Sequence, residues 1–351
     1  MRVTFLIGNG FDINLGLNTR YKDFIDVYKK PNENDDVVIK TFKNHLVENK
    51  ENWSDAELAF GKYTKEYDVT IEDADRFLDC HENFCENLAN YLKTENSRIS
   101  FNDNVCDVFL FCINSILDEI GSLRIESLFG NKEFNMRSET NYFNFISFNY
   151  TNVLDYIVNN TMKDLDCNID PNENSLIEEG VIHAHGKTDG TMVLGVNDVS
   201  QLDKDIFDGC PNDYRAQVIK PDFHMISEED YSNEIHEKLM DTDVIFIYGM
   251  SLGETDKRWW QSIISILEEY EDKSLFIHYY DNQKKSFFNN RRNPSDESIR
   301  DKFLSYSKCE QSTKEKLKKR IVIIRENIFE KLKYTIIYTK PSGKIHISDL
   351  I

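Results

Sequence analysis

Val3-Thr4-Phe5-Leu6-Ile7-Gly8-Asn9-Gly10-Phe11-Asp12 decides how the rest of the chain is read. A short apolar run stopped by a glycine reads as a strand buried on both faces that feeds a glycine turn, and such a strand belongs at the centre of a sheet. With no Cβ at Gly8 or Gly10 the backbone N–H groups can approach a phosphate closely, and the glycines can take positive φ. The spacing departs from the G-x-G-x-x-G dinucleotide fingerprint: Ile13 stands where a third glycine is due, and the next one is Gly16. A lone Gly-x-Gly is often just a tight turn. Asn9 and Asp12 add polar side chains directly after the strand, more than a turn needs, with helix capping by Asp12 as the plainer alternative.

Outward from this stretch, two helical stripes come first. Ala74, Phe77, Leu78, His81, Phe84, Cys85, Leu88, Tyr91 and Leu92 recur at three- and four-residue steps, as do Val105, Phe109, Cys112, Ile113, Ile116, Leu117, Ile120 and Leu123. Together they predict a mostly helical insertion over residues 30–135, placed after the first strand. Strand-like runs return at Phe143–Phe148, Gly180–Ala184, Met192–Val196, Val244–Tyr248, Leu275–Tyr280 and Ile321–Ile324, with the best helix of this half at Lys257–Tyr270. Strands alternating with helices predict an α/β fold, a Rossmann-like, mainly parallel sheet built from residues 1–29 and 136–351 and interrupted by the insertion. Asp164–Glu179 and Asp198–Asp213, rich in Asp, Asn, Pro and Gly, read as loops. Lys314, Lys316, Lys318, Lys319 and Arg320 make the tail locally basic; a solvated helix face is the first reading and a partner surface the second.

The chain has 351 residues, with 42 Lys+Arg against 62 Asp+Glu, a net charge of -20 that argues against a general polyanion binder. Hydrophobic residues at 40% are enough for a sizeable core, and no stretch approaches the ~20 apolar residues of a membrane span. The opening residues turn into glycines too soon for a signal peptide, so a cytoplasmic location is expected. Seven cysteines without a C-x-x-C pair argue against a disulfide framework or a four-thiolate zinc site, and Cys106 and Cys112 read as small core residues.

Parallel sheets bind ligands at the carboxyl ends of their strands, so three further strand ends are candidates. Phe145-Ile146-Ser147-Phe148 terminates in Asn149, whose amide can donate to a ligand and orient a water; helix capping by Thr151 or Asn152 is the bland alternative. In Val181-Ile182-His183-Ala184-His185-Gly186, strand alternation places both histidines on one face. His185, followed by glycine at a strand end, is favoured as a base or orienting residue over a metal ligand. Val244–Tyr248 leads through Gly249-Met250-Ser251-Leu252-Gly253-Glu254-Thr255-Asp256 into Trp259-Trp260, with Ser251 on the ligand-binding edge. The two tryptophans read as packing the helix onto the sheet, with an aromatic wall for a base or nicotinamide ring as the alternative.

The ordered set of Gly8-Asn9-Gly10-Phe11-Asp12, Gly16-Leu17, Ser147-Phe148-Asn149-Tyr150-Thr151, His185-Gly186, Leu194-Gly195-Val196-Asn197-Asp198 and Tyr248 through Asp256 resembles the bacteriophage abortive infection AbiH family over most of the chain. That resemblance implies a bacterial, cytoplasmic phage-defence protein that blocks phage propagation at the expense of the infected cell. More distantly, the same order looks like the sirtuin-like NAD-binding fold, which cleaves the bond between nicotinamide and ribose. That likeness implies NAD as substrate, catalytic roles for Asn149, His185 and Asp12, and dinucleotide binding by Gly8, Asn9, Gly10, Phe11, Asp12, Gly16, Thr19, Gly249 and Ser251. Thr151 stands where that fold usually has Asp, Asp12 where it has Ser, and the zinc-binding cysteine quartet is missing, so no metal is expected. Two rival readings stay open: a metal-dependent nuclease or phosphoesterase ligated by Asp12, Asn149, His183 and His185, and a non-catalytic nucleotide-sensing module. A phage-encoded trigger and a second copy of the chain are left open as partners, and no membrane is expected.

Overall fold

The computed structural model describes residues 1–49, 55–122, 140–167, 175–220, 231–280 and 294–338. Its frame is a seven-stranded sheet formed by β1 (Arg2–Ile7), β3 (Asn141–Ser147), β4 (Ser175–Ile177), β5 (Ile182–His183), β6 (Val244–Tyr248), β7 (Ser274–His278) and β8 (Ile321–Ile324). The spatial order is β4-β3-β1-β6-β7-β8, with β5 joining β3 beyond the end of β4, and every pairing is parallel. Phe5 lies opposite Phe145 on one side and Phe246 on the other, which makes β1 the central strand. The chain leaves β1 toward β3 first and returns to its other side with β6, so the strand order reverses between β1 and β6. At such a reversal the loops after the two strands diverge and open a crevice.

Period-two alternation divides the central strands between two cores. Val3, Phe5, Ile7, Phe143, Phe145 and Phe246 face helices α6 (Val105–Ser122) and α7 (Val153–Cys167), whereas Leu6, Ile146, Ile245, Ile247, Leu275 and Ile277 face α9 (Tyr231–Met240), α10 (Lys257–Glu269) and α11 (Asp296–Leu304). A third cluster is helical. It joins α2 (Tyr21–Tyr28), α3 (Val37–Glu48), α4 (Ala56–Tyr63) and α5 (Ile71–Ser97) around Phe24, Phe42, Phe60, Phe77 and Phe84, all nearly or fully buried. The 27-residue α5 is capped by Thr70, whose side-chain oxygen accepts from the Asp73 N–H, and it buries most of the expected stripe from Ala74 through Leu92, with Cys85 and Tyr91 half-buried. Residues 30–135 therefore serve two cores, because α6 packs on the sheet and α3–α5 build the helical cluster. Ile120 and Leu123 of the second stripe, and 123–135 of the insertion, lie outside the residues whose side chains are described.

Three readings of the sequence are corrected. Met192–Val196 is not a strand of the sheet. Its bonds go to two other segments, the Val193 N–H donating to the His185 carbonyl, the Val196 N–H to the Val218 carbonyl and the Lys220 N–H to the Val196 carbonyl, while Leu194 and Val196 are buried in the helical cluster. Asp164–Glu179 is not all loop. The helix α7 continues to Cys167 because Leu154, Ile157, Val158, Met162 and Leu165 keep their apolar spacing, and Ser175–Ile177 makes an edge strand on β3; residues 168–174 between them lie outside the described ones. Third, β5 ends at His183, so strand alternation does not carry His185 onto the same face. Two short strands, β2 (Ile99–Phe101) and β9 (Ile336–Tyr338), pair antiparallel apart from the main sheet. Cys106 and Cys112 pack in the first core as expected. The basic tail is partly spent internally: Lys318 of α12 (Gln311–Lys318) binds Glu297, Asp301 and Glu315, and Arg320 donates to carbonyls at the carboxyl end of α10.

Candidate active site

The crevice at the β1/β6 reversal holds a cavity of about 390 Å³, lined by residues that follow β1, β3, β5 and β6 and by residues of the helical cluster. Gly8 and Asn9 come from the first turn, Phe148 and Tyr150 from the second, His185 from the third, and Gly249, Met250, Ser251, Thr255 and Asp256 from the fourth. The helical side contributes Arg20, Tyr21 and Lys22 at the start of α2 and Asp55 and Glu57 at the start of α4.

The glycines let the first and fourth turns touch. The Gly10 N–H donates to the Gly249 carbonyl at 2.7 Å, and a Cβ at Gly10 would stand 2.5 Å from the Gly249 Cα. Gly249 itself takes φ +68°. Since the Gly8 N–H is likewise bound to the Tyr248 carbonyl, both glycine donors that the sequence offers to a phosphate are occupied within the protein. The Asn9 side chain is taken up by Thr19: its Nδ2 donates to the Thr19 carbonyl, and the Thr19 hydroxyl donates to its Oδ1.

His185 sits on the cavity wall with a carboxylate and an ammonium at one ring nitrogen. Its Nε2 is 3.1 Å from Asp256 Oδ1 and 3.4 Å from Lys220 Nζ, and the Lys220 ammonium donates to Glu57 Oε2 at 2.8 Å. Glu57 Oε1 accepts from the Tyr150 hydroxyl at 3.1 Å. The other ring nitrogen, His185 Nδ1, is buried without a hydrogen-bond partner. Gly186 makes this placement possible: at φ +69° it turns the chain so that a Cβ would lie 1.9 Å from the Thr191 carbonyl oxygen. Burial pushes the Glu57 carboxyl up, with the charge of Lys220 opposing it. Burial acts the same way on Asp256, but there the His185 hydrogen bond and the charge of Lys220 outweigh it and hold the carboxyl below its usual range.

Behind the wall lies a second polar group. Asp12, 1% exposed, accepts from the Thr151 hydroxyl at 2.6 Å and from Asn149 Nδ2 at 3.2 Å; Nδ2 also reaches the Gly8 carbonyl at 3.2 Å. Burial raises the Asp12 carboxyl from 3.8 to about 7, against the pull of Thr151, Asn149 and His183. Asn149 Oδ1 is buried and unpaired. His183 faces this group rather than the cavity, with Nδ1 at the Asn149 carbonyl and Nε2 2.8 Å from Asp155. Phe11 is in the sheet core against Tyr248 and Phe329, and Gly16 packs on the Tyr338 hydroxyl of β9.

Of the residues expected at the site, Gly8, Asn9, His185, Gly249 and Ser251 line the cavity. Asp12, Asn149, Gly10 and Thr19 support it one layer back, and Phe11 and Gly16 lie elsewhere. The tryptophans pack as the first reading has it: Trp260 is fully buried in the second core, while Trp259 backs Phe148 edge-on. Asp256 and Tyr150 stood within quoted motifs but had no role; Glu57, Asp55, Arg20 and Lys220 carried no local signal. Among the described residues no three or more His, Cys, Asp or Glu side chains are grouped so as to hold a metal ion.

Fold and cavity define the class: a Rossmann-like α/β protein with a polar, charged cleft at the switch point of its parallel sheet. The chain belongs to the bacteriophage abortive infection AbiH family, whose sequence profile matches residues 4–279, from β1 past the end of β7. Every cavity-lining residue falls inside that match. A role in phage abortive infection goes with the family. No curated protein matches the chain. Among the described residues no helix is long and apolar enough to cross a membrane.

Proposed function

We propose that the protein acts in abortive infection by hydrolysing NAD at the bond between nicotinamide and ribose, in the cleft between the ends of β1 and β6. The observation that carries this reading is His185 on the cleft wall, set against Asp256 and with Nδ1 unpaired. In that pairing Nε2–H donates to Asp256 and the buried Nδ1 keeps its lone pair, so proton transfer to it in this reading requires a water admitted beside the ring when substrate binds.

The chemistry asks for little more. As the C1′–N bond breaks, its electron pair leaves with nicotinamide, which departs neutral, and positive charge develops on the ribose. Asp55, Glu57 and Asp256 line the same cleft, where carboxylates stabilise such charge; Arg20 and Lys22 line it too and suit a pyrophosphate. A cavity of about 390 Å³ is of the size that holds small-molecule ligands. Asn149 and Asp12 act from behind in this reading: Asn149 fixes the Gly8 carbonyl at the cleft floor, and Asp12 with Thr151 fixes Asn149. The likeness to sirtuin-like NAD-binding proteins noted from the sequence supports the same substrate.

Purified protein, with lysate of phage-infected cells supplying any trigger, is expected to convert NAD to nicotinamide and ADP-ribose. His185→Ala is expected to lower the rate at least 10²-fold, in the range general-base catalysis contributes. Metal-chelator-sensitive cleavage of RNA or DNA with NAD left intact would replace this reading by that of a nuclease.

A further inference from the structure

Charged groups from several elements stand around His185. Asp256 contacts its ring, and Glu57 and Asp55 of α4 stand nearby in the cleft; Tyr21 and Tyr150, the titratable neighbours, are pushed up by burial and stay uncharged. Carboxylates beside an imidazole favour its doubly protonated form, which has no lone pair to offer, and cations oppose it. Arg20 and Lys22 line the same cleft, and a third cation stands at the ring itself. Lys220, 3% exposed, reaches the ring from the segment after Ile219, its ammonium 3.4 Å from His185 Nε2 and held there by Glu57 at 2.8 Å.

We propose that Lys220 is a positioning residue for His185: its buried ammonium, anchored by Glu57, offsets the surrounding carboxylates and disfavours a second proton on the imidazole, while Asp256 holds Nε2–H. The proposal deepens the hydrolysis reading and rests on it for the step itself. In that step a water oxygen bonds to C1′ as the C1′–N bond breaks toward nicotinamide. The water proton passes to Nδ1 and later to solvent, so that NAD and water give nicotinamide, ADP-ribose and a proton. The ammonium is already charged and stays so. It contributes only the field that sets when His185 can accept.

A unit charge 3.4 Å from the ring shifts the protonation midpoint of its neighbour by about 1 to 3 pH units, for effective dielectrics between water and a protein surface. The direct test is a pH titration of the His185 ring by NMR with histidine labelled in the imidazole, the signal assigned by its loss in His185→Gln. Lys220→Met is expected to move the midpoint up by 1 to 3 units and to carry the acid limb of NAD turnover with it. Lys220→Arg, which keeps the charge, is expected to restore both. Glu57→Gln removes a negative charge while keeping its hydrogen bonds to Tyr150 and Lys220, and should move the midpoint the opposite way; it serves if Lys220→Met does not fold. An unmoved midpoint in folded Lys220→Met, or in Glu57→Gln, overturns the proposal. A midpoint that moves as stated in a protein that never consumes NAD removes the hydrolysis reading instead and leaves the assignment of Lys220 in place.

Discussion

Asp12→Asn isolates the cost of burying a carboxyl behind the cleft. Asp12 is 1% exposed and its carboxyl is raised by burial from 3.8 to about 7, so between these two values the folded chain holds the proton and the unfolded chain does not. Its contribution to stability is complete below the unfolded value near 4, declines as pH rises, and is lost once pH passes about 7. At about 1.4 kcal/mol per unit, the rise from 3.8 to about 7 corresponds to about 4 kcal/mol lost by pH 9, of which roughly a third is already gone at pH 5. Asparagine carries no charge to bury. Its oxygen still accepts from Asn149 Nδ2, and its NH₂ can donate to the Thr151 hydroxyl oxygen, reversing the direction of that bond. Urea unfolding of both proteins at pH 5 and pH 9, at fixed ionic strength, should show the variant gaining about 3 kcal/mol on the wild type between the two conditions. Taking the difference cancels the pH dependence common to both, including that of the net charge of -20. A gap that stays constant with pH, or one that closes above pH 7, would refute the reasoning, because Asp12 would then be ionised at no cost in the fold.

Other perturbations follow from the same contacts. Asp256→Asn leaves His185 Nε2 without its carboxylate acceptor and with Lys220 still beside it, so imidazole ¹⁵N shifts should report Nδ1 as the protonated nitrogen; unchanged shifts contradict the assigned tautomer. Gly249→Ala forces a Cβ to within 2.8 Å of the Phe11 nitrogen at φ +68°, and thermal melting should show a loss of at least about 2 kcal/mol. A melting temperature equal to that of the wild type would mean that the first and fourth turns do not meet.

The sheet was legible where its strands are buried on both faces. Val244–Tyr248 is a continuous apolar run, and Val3–Ile7 and Phe143–Ser147 are broken only by the buried Thr4, Asn144 and Ser147, because each strand has helices above and below. Met192–Val196 carries the same signature for a different reason: Leu194 and Val196 are buried by α4 and α5, and burial alone does not say which backbone supplies the hydrogen bonds. Within the site, His185, Gly249 and Ser251 could be found because each follows directly on such a run. Glu57 and Lys220 could not. They are 163 positions apart, each in an ordinary stretch of sequence, and acquire a role only when α4 folds over the cleft. Likewise the Gly8–Gly10 turn suggested a phosphate cradle, but the sequence did not reveal that the Tyr248 and Gly249 carbonyls would claim its N–H groups.

The central claim is that the cleft at the β1/β6 switch, with His185 on its wall, destroys NAD during infection. Quantifying NAD, nicotinamide and intact RNA in cells carrying wild type or His185→Ala, before and after phage challenge, tests it most directly. The account predicts that NAD falls and nicotinamide rises only with the wild type, while RNA outlasts the loss of NAD. An infection aborted by the wild type with NAD undiminished would contradict it.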